Sequence, residues 1–556
     1  MNANLLYEDR EWTDGGRYFE ERALIQDLGL NTLFWAAGRD VIRDEKDEDR
    51  VIALGEPDAF LESTMKKVMM VPLRTESEIV YRQEILQNCL ENEPLIYELY
   101  AYAKGVLDAW DRLGRKAGNK TGSRNSARSL ISEIHVLQLF VDSLSELKEL
   151  LEKYNDALHA RGLLNLRERL HREFSREKEE ALRKILKGVA FYANDREHEE
   201  GVIGRRVNKP RIVLGCSLGD GLKLGGFHLE EVATDTKRYR NPASLISRAQ
   251  GYISEKTKTL VNIQRGTKLA EQAESLEFNT VRYIVACCEP FVNAFNGFFS
   301  QLHIQAAFYR GAVNLMHHMR RFGLGSCYPK AGTQDILRFR ELKEFVMGME
   351  QQRNPVGNTC DIERKNLLIV TGANQGGKST FLRSIGIAQV MMQCGLFVAA
   401  LEYESGIFPS FFTHFTRRED SAMNSGRLDE ELGRMSRIVD HLGEDSMILL
   451  NESFASTTEK EGSVIAYDIV KALTEAGVKV LTVTHLLSYA QRVYAEAGQR
   501  PDSGVEFLSA QRREDGRRTF RMVQHAPELT SFGLDLYEEL IGPLEIGQEP
   551  AATAAR

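Results

Sequence analysis

The sequence predicts a long α-helical region followed by an α/β unit, and three observations carry that prediction. Only 13 prolines occur in 556 residues, about half the usual frequency, which favours long helices. From Pro72 to Arg321 apolar residues recur at helical spacing through most of the text. From about residue 331 the pattern changes to short apolar runs punctuated by glycine turns and single helices.

The bulk properties bound the rest. A chain of 556 residues exceeds what one hydrophobic core serves, so several domains are expected. With 42% hydrophobic and 27% charged residues the composition is that of a soluble globular protein. A net charge of −8 excludes a global basic field, although a local basic strip is enough to hold nucleic acid. The seven cysteines (89, 216, 287, 288, 327, 360 and 394) form no CxxC pair and no metal-ligand spacing, and so read as reduced thiols of a cytosol. The opening MNANLLYEDREW has no apolar leader, and no run approaches the ~20 apolar residues of a membrane span. A cytoplasmic protein without a membrane partner is expected.

In chain order, residues 1–70 mix charged and apolar residues without a strong period, and their role is unclear. An amphipathic helix over Tyr18–Leu28 is the reading of the Phe19-Glu20-Glu21 neighbourhood. Helices are then expected over Glu76–Leu90, Ser129–Leu151 and Leu163–Ala193, the last one long and densely charged through SREKEE. Residues 201–240 break the pattern. RIVLGCSLGDGLKLGGFHLEEV reads as short strands and turns, and Arg205, Arg206, Lys209, Arg211, Lys223, Lys237, Arg238 and Arg240 make it the most basic neighbourhood. That basic strip suits either a solvated loop face or a phosphate contact. Helices resume over Ala243–Lys268 and Glu271–Arg321, with Val292–Arg321 apolar on more than one face and therefore buried. His317 and His318, being adjacent, point to different faces of a helix and make a poor metal pair. GLGSCYP at 323–329 closes the helical half near Lys330.

The second half is organised around LLIVTGANQGGKST, Leu367 to Thr380. A buried strand over Leu367–Thr371 leads into Gly372-x-x-x-x-Gly377-Lys378-Ser379, and a helix is expected over Phe381–Cys394. Strand, glycine loop and helix in that order are the context of a phosphate-binding P-loop. Backbone amides from Gly372 through Ala373, Asn374, Gln375, Gly376 and Gly377 to Lys378 wrap the phosphates, with the helix dipole adding positive potential. Lys378 neutralises charge near the β/γ-phosphates, Ser379 offers its hydroxyl to Mg²⁺, and Thr380 closes the motif. The bland alternative, a glycine turn that merely spells the pattern, is opposed by its flanks. ATP and Mg²⁺ are the expected ligands.

Met447-Ile448-Leu449-Leu450-Asn451-Glu452 is an apolar strand ending in two polar residues, the place of a Walker B pair. Asn451 stands where an Asp normally holds Mg²⁺ through water. Its amide oxygen still accepts a hydrogen bond but carries no charge, so Mg²⁺ affinity and turnover should weaken. Glu452 keeps the carboxylate that orients or activates the attacking water. After the strand Val478–Val483, Thr484-His485 suits a histidine at the γ-phosphate or the water. A further helix is expected over Gly462–Ala476, and a β-hairpin from Val505–Ala510 and Thr519–Val523 around RREDGR.

These segments resemble the MutS family of DNA mismatch-repair proteins, relatives of the ABC ATPases. TGANQGGKSTFLRSIG is similar to that family's TGPNxGGKSTxxR, Gly395–Ala400 to its GxxVPA, and Phe412–Arg427 to its FTR…D…SGR. NESFASTTEKEG stands at its DExGRGTSTxDG, Thr484-His485 at its TH, and Ser531-Phe532-Gly533 at its SYG. The resemblance runs from about residue 70 to the end and is strongest after about 345. It implies an α-helical core/lever region followed by an α/β ABC-type P-loop ATPase domain. The corresponding divisions are a segment of unclear role at 1–70, a helical core and lever arms at 71–330 with a possible small clamp at 201–240, the ATPase at 331–545, and a disordered tail at 546–556. It further implies a dimer, here expected to be a homodimer, in which helical arms close on DNA under ATP control, in mismatch repair or recombination control. Leu428-Asp429-Glu430-Glu431 replaces the family's Ser/Thr-bearing helix start that reaches the partner's nucleotide. No mismatch-reading domain is recognisable, so structure-dependent DNA binding is expected rather than base-mismatch recognition. The alternative is an ATP-gated scaffold for protein partners. A transporter-coupled ABC subunit is disfavoured, because no LSGGQ-type signature occurs.

Overall fold

The computed structural model describes residues 2–44, 47–118, 127–187, 211–219, 223–233, 268–416, 426–443, 445–499, 504–513 and 517–527. The chain forms two compact units. One gathers Asn4–Ile96, Ala160–Gly162 and Ile304–Arg556, and the other Met1–Ala3, Tyr97–His159 and Leu163–His303.

The N-terminal part is a set of short elements: α1 (Glu21–Leu28), α2 (Asn31–Ala37), the antiparallel hairpin β1 (Val41–Asp44) and β2 (Asp47–Leu54), and α3 (Ala59–Met69). The expected amphipathic helix begins at Glu21 rather than Tyr18, and Gly29 stops it at φ 69°. Asp58 caps α3 through Phe60 N and Leu61 N, and Thr75 caps α4 (Glu76–Glu91) through Glu78 N.

The helical series continues with α5 (Glu93–Gly118), α6 (Ala127–Lys153), α7 (Arg161–Glu173) and α8 over residues 176–187. α5 was not foreseen. The single helix expected over Leu163–Ala193 is broken at Phe174–Ser175, where Phe174 turns into the core and Ser175 Oγ accepts from Lys178 N as a new N-cap. Strands β3 (Arg211–Gly219) and β4 (Lys223–Ala233) pair antiparallel, as the glycine-rich text predicts. The side chains of the basic strip at 205–240 and the helix expected over Ala243–Lys268 lie outside the described residues. α9 (Lys268–Arg321) is a 54-residue helix. Within the helical unit, Phe295 packs on Trp110, Phe140 and Phe299, and Tyr100 stacks on His303 at 4.9 Å.

The larger unit holds two more sheets. β5 (Lys330–Gly332), β6 (Leu337–Leu342), β7 (Asn358–Ile362) and β9 (Glu402–Gly406) form a four-stranded sheet in the order β5-β9-β6-β7, with α10 (Phe345–Glu350) between β6 and β7. The main sheet contains β8 (Leu367–Thr371), followed by α11 (Lys378–Met392), then β10 (Ser410–Phe415), α12 (Arg427–Val439), β11 (Ser446–Asn451), α13 (Glu459–Glu475), β12 (Lys479–Val483), α14 (Leu487–Gly498), β13 (Val505–Arg512) and β14 (Arg518–Gln524). Its order is β10-β11-β12-β8-β13-β14, parallel except for β14, which forms the expected hairpin with β13. Two helices start three residues earlier than their apolar periodicity indicates. Lys378 opens α11 directly after Gly377, and Thr458 caps α13 by accepting from Glu461 N.

The central strands are buried on both faces, which explains their continuous apolar runs. Leu367, Ile369, Ile448, Leu450 and Val480 join Met435, Ile438, Tyr467, Val470 and Tyr489 from α12, α13 and α14 in one core. Leu449 faces the other way, toward α11. A Cβ at Gly386 of α11 would stand 2.6 Å from Leu28 and 2.8 Å from Leu449, so helix, strand and N-terminal segment meet there without room for a methyl group. The N-terminal segment is thereby docked on the sheet. Thr413 Oγ1 donates to Asp27 at 2.8 Å, Tyr18 meets Phe411 edge-on, Phe19 stacks on His441 at 3.7 Å, and Glu20 pairs with Arg437 at 3.0 Å.

Candidate functional site

Three adjacent strands bring the sequence-predicted residues together. The register pairs Val370 with Val483 and Val483 with Asn451, so the next row along β8, β12 and β11 is Thr371, Thr484 and Glu452. Backbone bonds continue past the ladder, with Thr484 N donating to Val370 O and Glu452 N to Val483 O. The glycine loop, Asn451-Glu452 and Thr484-His485 therefore leave the carboxyl ends of neighbouring parallel strands, where open α/β sheets place ligands.

The loop after β8 is built from conformations that favour glycine. Gly372 has φ 105° and Gly377 φ 91°, and Gln375 adopts φ 57° between them. A Cβ on Gly372 would lie 2.8 Å from Ala510 N, so β13 approaches too closely for any other residue. The loop ends at the N-terminus of α11. Lys378 is buried, and its Nζ donates to Gly372 O at 2.9 Å and Ala373 O at 3.0 Å, which holds the ammonium across the mouth of the loop.

Glu452 and His485 form a dyad. Nε2 of His485 lies 2.8 Å from Glu452 Oε1. This hydrogen bond is the largest influence on the Glu452 carboxyl and, with the nearby Lys378 ammonium, holds it below the usual carboxylate range against the opposing effect of burial. An ionised carboxylate only accepts, so Nε2 carries the proton. Glu452 sits at φ 55° with its carbonyl fixed by Thr416 Oγ1 at 2.7 Å, a strained backbone held in place at the strand end.

Asn374, Gln375, Gly376, Gly377, Lys378, Ser379, Thr380, Glu452 and His485 line one cleft of ≈ 360 Å³. Gly372, Ala373 and Asn451 are not among its lining residues. Oδ1 of Asn451 and Oγ1 of Thr371 are buried with no hydrogen-bond partner in the protein. Thr371 ends β8 directly before the loop and Asn451 ends β11, strand ends at which such an acceptor suits a water of a hard cation held on phosphate oxygens. No cluster of three or more His, Cys, Asp or Glu able to hold a metal occurs among the described residues. The residues present fit Mg²⁺ with a nucleoside triphosphate.

The opposite wall was not read from the sequence. It comprises Glu344, Met347, Arg353–Val356, Asn358 and Phe520. Phe520 is 47% exposed, adopts φ 60°, and lies about 3.5 Å from where a Cβ on Gly377 would stand. Asn358 fixes the strand that carries it, accepting from Met522 N at 2.8 Å and donating to Phe520 O at 3.3 Å. Glu344 caps α10 and pairs with Arg383 of α11 at 2.8 Å, and burial raises its carboxyl. The RREDGR turn was the one signal that pointed to this wall, since it brings β14 back beside the loop.

Residues 368–553 match the family described as MutS domain V, and residues 74–322 match the MutS2 N-terminal domain. The chain belongs to the MutS family. The DNA mismatch repair protein MutS of Halothermothrix orenii is 22% identical over 505 residues, 87% of this chain and 54% of that protein. The MutS of Chloroflexus aurantiacus is 28% identical over 243 residues, covering 41% of this chain and 25% of that protein. MutS protein homolog 4 of Mus musculus is 32% identical over 164 residues, 29% of this chain and 17% of its own length. The matches thus span about half or less of these relatives. In this MutS-family chain α12 begins at Arg427, and Glu431 accepts from Ser456 Oγ at 2.9 Å. Ser531-Phe532-Gly533 lies outside the described residues. No described helix is long and apolar enough to cross a membrane.

Proposed function

We propose that this protein is a cytoplasmic, homodimeric, DNA-binding ATPase of ABC-type P-loop construction, with ATP turnover in the cleft controlling helical arms that close on DNA. The divisions that follow are residues 331–545 as the ATPase, 71–330 as helical core and lever arms with a possible small clamp at 201–240, 1–70 as an N-terminal segment of unclear role, and 546–556 as a disordered tail. The observation that carries the reading is the convergence of the glycine loop, Glu452 and His485 at the ends of three neighbouring strands.

In this mechanism the amides of residues 372–378 cradle the phosphates, and Ser379 and Asn451, the latter through a water, would hold Mg²⁺, which when bound would neutralise charge developing on the phosphate oxygens. Lys378 exchanges its loop carbonyls for β/γ-phosphate oxygens. Glu452 accepts the proton of the attacking water, while His485 holds the Glu452 carboxylate ionised and oriented. Phe520 gives the nucleobase an apolar face.

The test is the ATPase rate of the full chain with and without duplex, mismatched and branched DNA at low salt. Stimulation by DNA, lost as salt rises, is the expected result. A rate indifferent to every DNA, with none bound, overturns the DNA assignment and leaves the scaffold reading.

A further inference from the structure

A second cavity, of ≈ 370 Å³, is lined by Thr333, Gln334, Asp335, Asn366, Asp445 and Lys479, with Phe408 and Gly477 completing it. Asn366 directly precedes β8, Asp445 directly precedes β11, and Lys479 opens β12. The cavity therefore sits at the amino ends of the strands whose carboxyl ends carry Glu452 and His485, and nothing assigned to the nucleotide site uses it.

Lys479 is 4% exposed, yet its side chain reaches the cavity wall. Nζ donates to Gln334 O at 2.9 Å, one acceptor for a group with three donors as an ammonium. Burial pushes the amine down to about 8, with the charge of Asp335 opposing. Asp335 and Asp445 are the other titratable groups on the wall. Asp335 accepts from Thr333 Oγ1 at 2.5 Å, which lowers its carboxyl and keeps it ionised at neutral pH. The cavity is many times the ~30 Å³ share of one water, so a small acyl group fits beside the amine.

We propose that Lys479 is a nucleophilic lysine, a modification site where this cavity admits a small uncharged acyl thioester and Nζ takes the acyl group. The Nζ lone pair attacks the thioester carbonyl carbon. A C–N bond forms, the C–S bond breaks, the thiolate leaves with the electron pair, and the amine proton passes to it. The product amide keeps one N–H for Gln334 O and removes a buried charge. The Asp335 carboxylate on the wall selects against anionic donors such as acyl phosphates.

The native full-length chain is treated with the neutral thioester N,S-diacetylcysteamine at pH 7.5 and 8.5, and acetylation is followed lysine by lysine by mass spectrometry. Lys479 is expected to react at least about tenfold faster than the exposed Lys67 and Lys460 at pH 7.5. Its rate is expected to rise only about threefold between the two pH values, against about tenfold for an ordinary lysine amine. Acetylation no faster than at Lys67 and Lys460, or a tenfold response to pH, overturns the proposal.

Discussion

Glu452 and His485 stand 2.8 Å apart just past the ends of β11 and β12, and the hydrogen bond from His485 holds the Glu452 carboxyl in its ionised form. The imidazole keeps the carboxyl below its usual range, so the carboxylate is present above that lowered value and is lost only as pH falls through it. His485→Ala removes the largest cause and leaves burial opposed by Lys378 alone. The acidic limb of the ATPase pH profile therefore moves to higher pH, and kcat at neutral pH falls by about 10²-fold. Steady-state rates from pH 4 to 8 check both.

Lys378 bridges Gly372 O and Ala373 O within the loop. Lys378→Ala deletes the one lysine on the cleft wall. A hydrogen bond to a charged group contributes ~1.5–3 kcal/mol, and more than one is lost with the phosphates, so ATP binding weakens by at least about 10²-fold. Titration with a fluorescent nucleotide measures this, and retained affinity would count against the phosphate role.

The amide of Asn451 leaves its Oδ1 buried without a partner. Asn451→Asp places a charge there, and the Mg²⁺ concentration for half-maximal ATPase falls several-fold if this oxygen belongs to the cation's outer shell. An unchanged Mg²⁺ titration removes Asn451 from that shell.

Leu28 is fully buried against Gly386 and Leu449. Leu28→Ala destabilises the larger unit by ~2–5 kcal/mol, and Gly386→Ala by ~1–3 kcal/mol through overpacking. In the double variant the new methyl group enters the space that Leu28 vacated, so the costs are less than additive. Urea unfolding of the four proteins gives the coupling.

The local signals in this chain are strong where chemistry and periodicity coincide. Leu367–Thr371, Ser446–Asn451 and Lys479–Val483 are apolar runs bounded by polar or glycine residues, and each is a strand carrying a site residue just past its end. Helix starts are less legible, because Lys378 and Glu459 are set by Gly377 and by the Thr458 cap rather than by apolar spacing. Long-range pairings leave no trace in the text. Asp27 meets Thr413, Lys330–Gly332 pairs with Glu404–Gly406, and Phe520 folds back on Gly377 across more than a hundred residues. Beyond the RREDGR turn the second wall of the cleft leaves no signal in the text for that reason, and neither does the docking of residues 1–70 on the sheet.

The proposed turnover rests on Glu452 as the group that orients the attacking water in this cleft and accepts its proton. Single-turnover ATP hydrolysis by Glu452→Gln, with bound nucleotide measured in parallel, tests it most directly. Near-normal ATP binding with hydrolysis slowed by at least about 10²-fold, leaving an ATP-bound protein, is the expected result. Hydrolysis at the unsubstituted rate would contradict it.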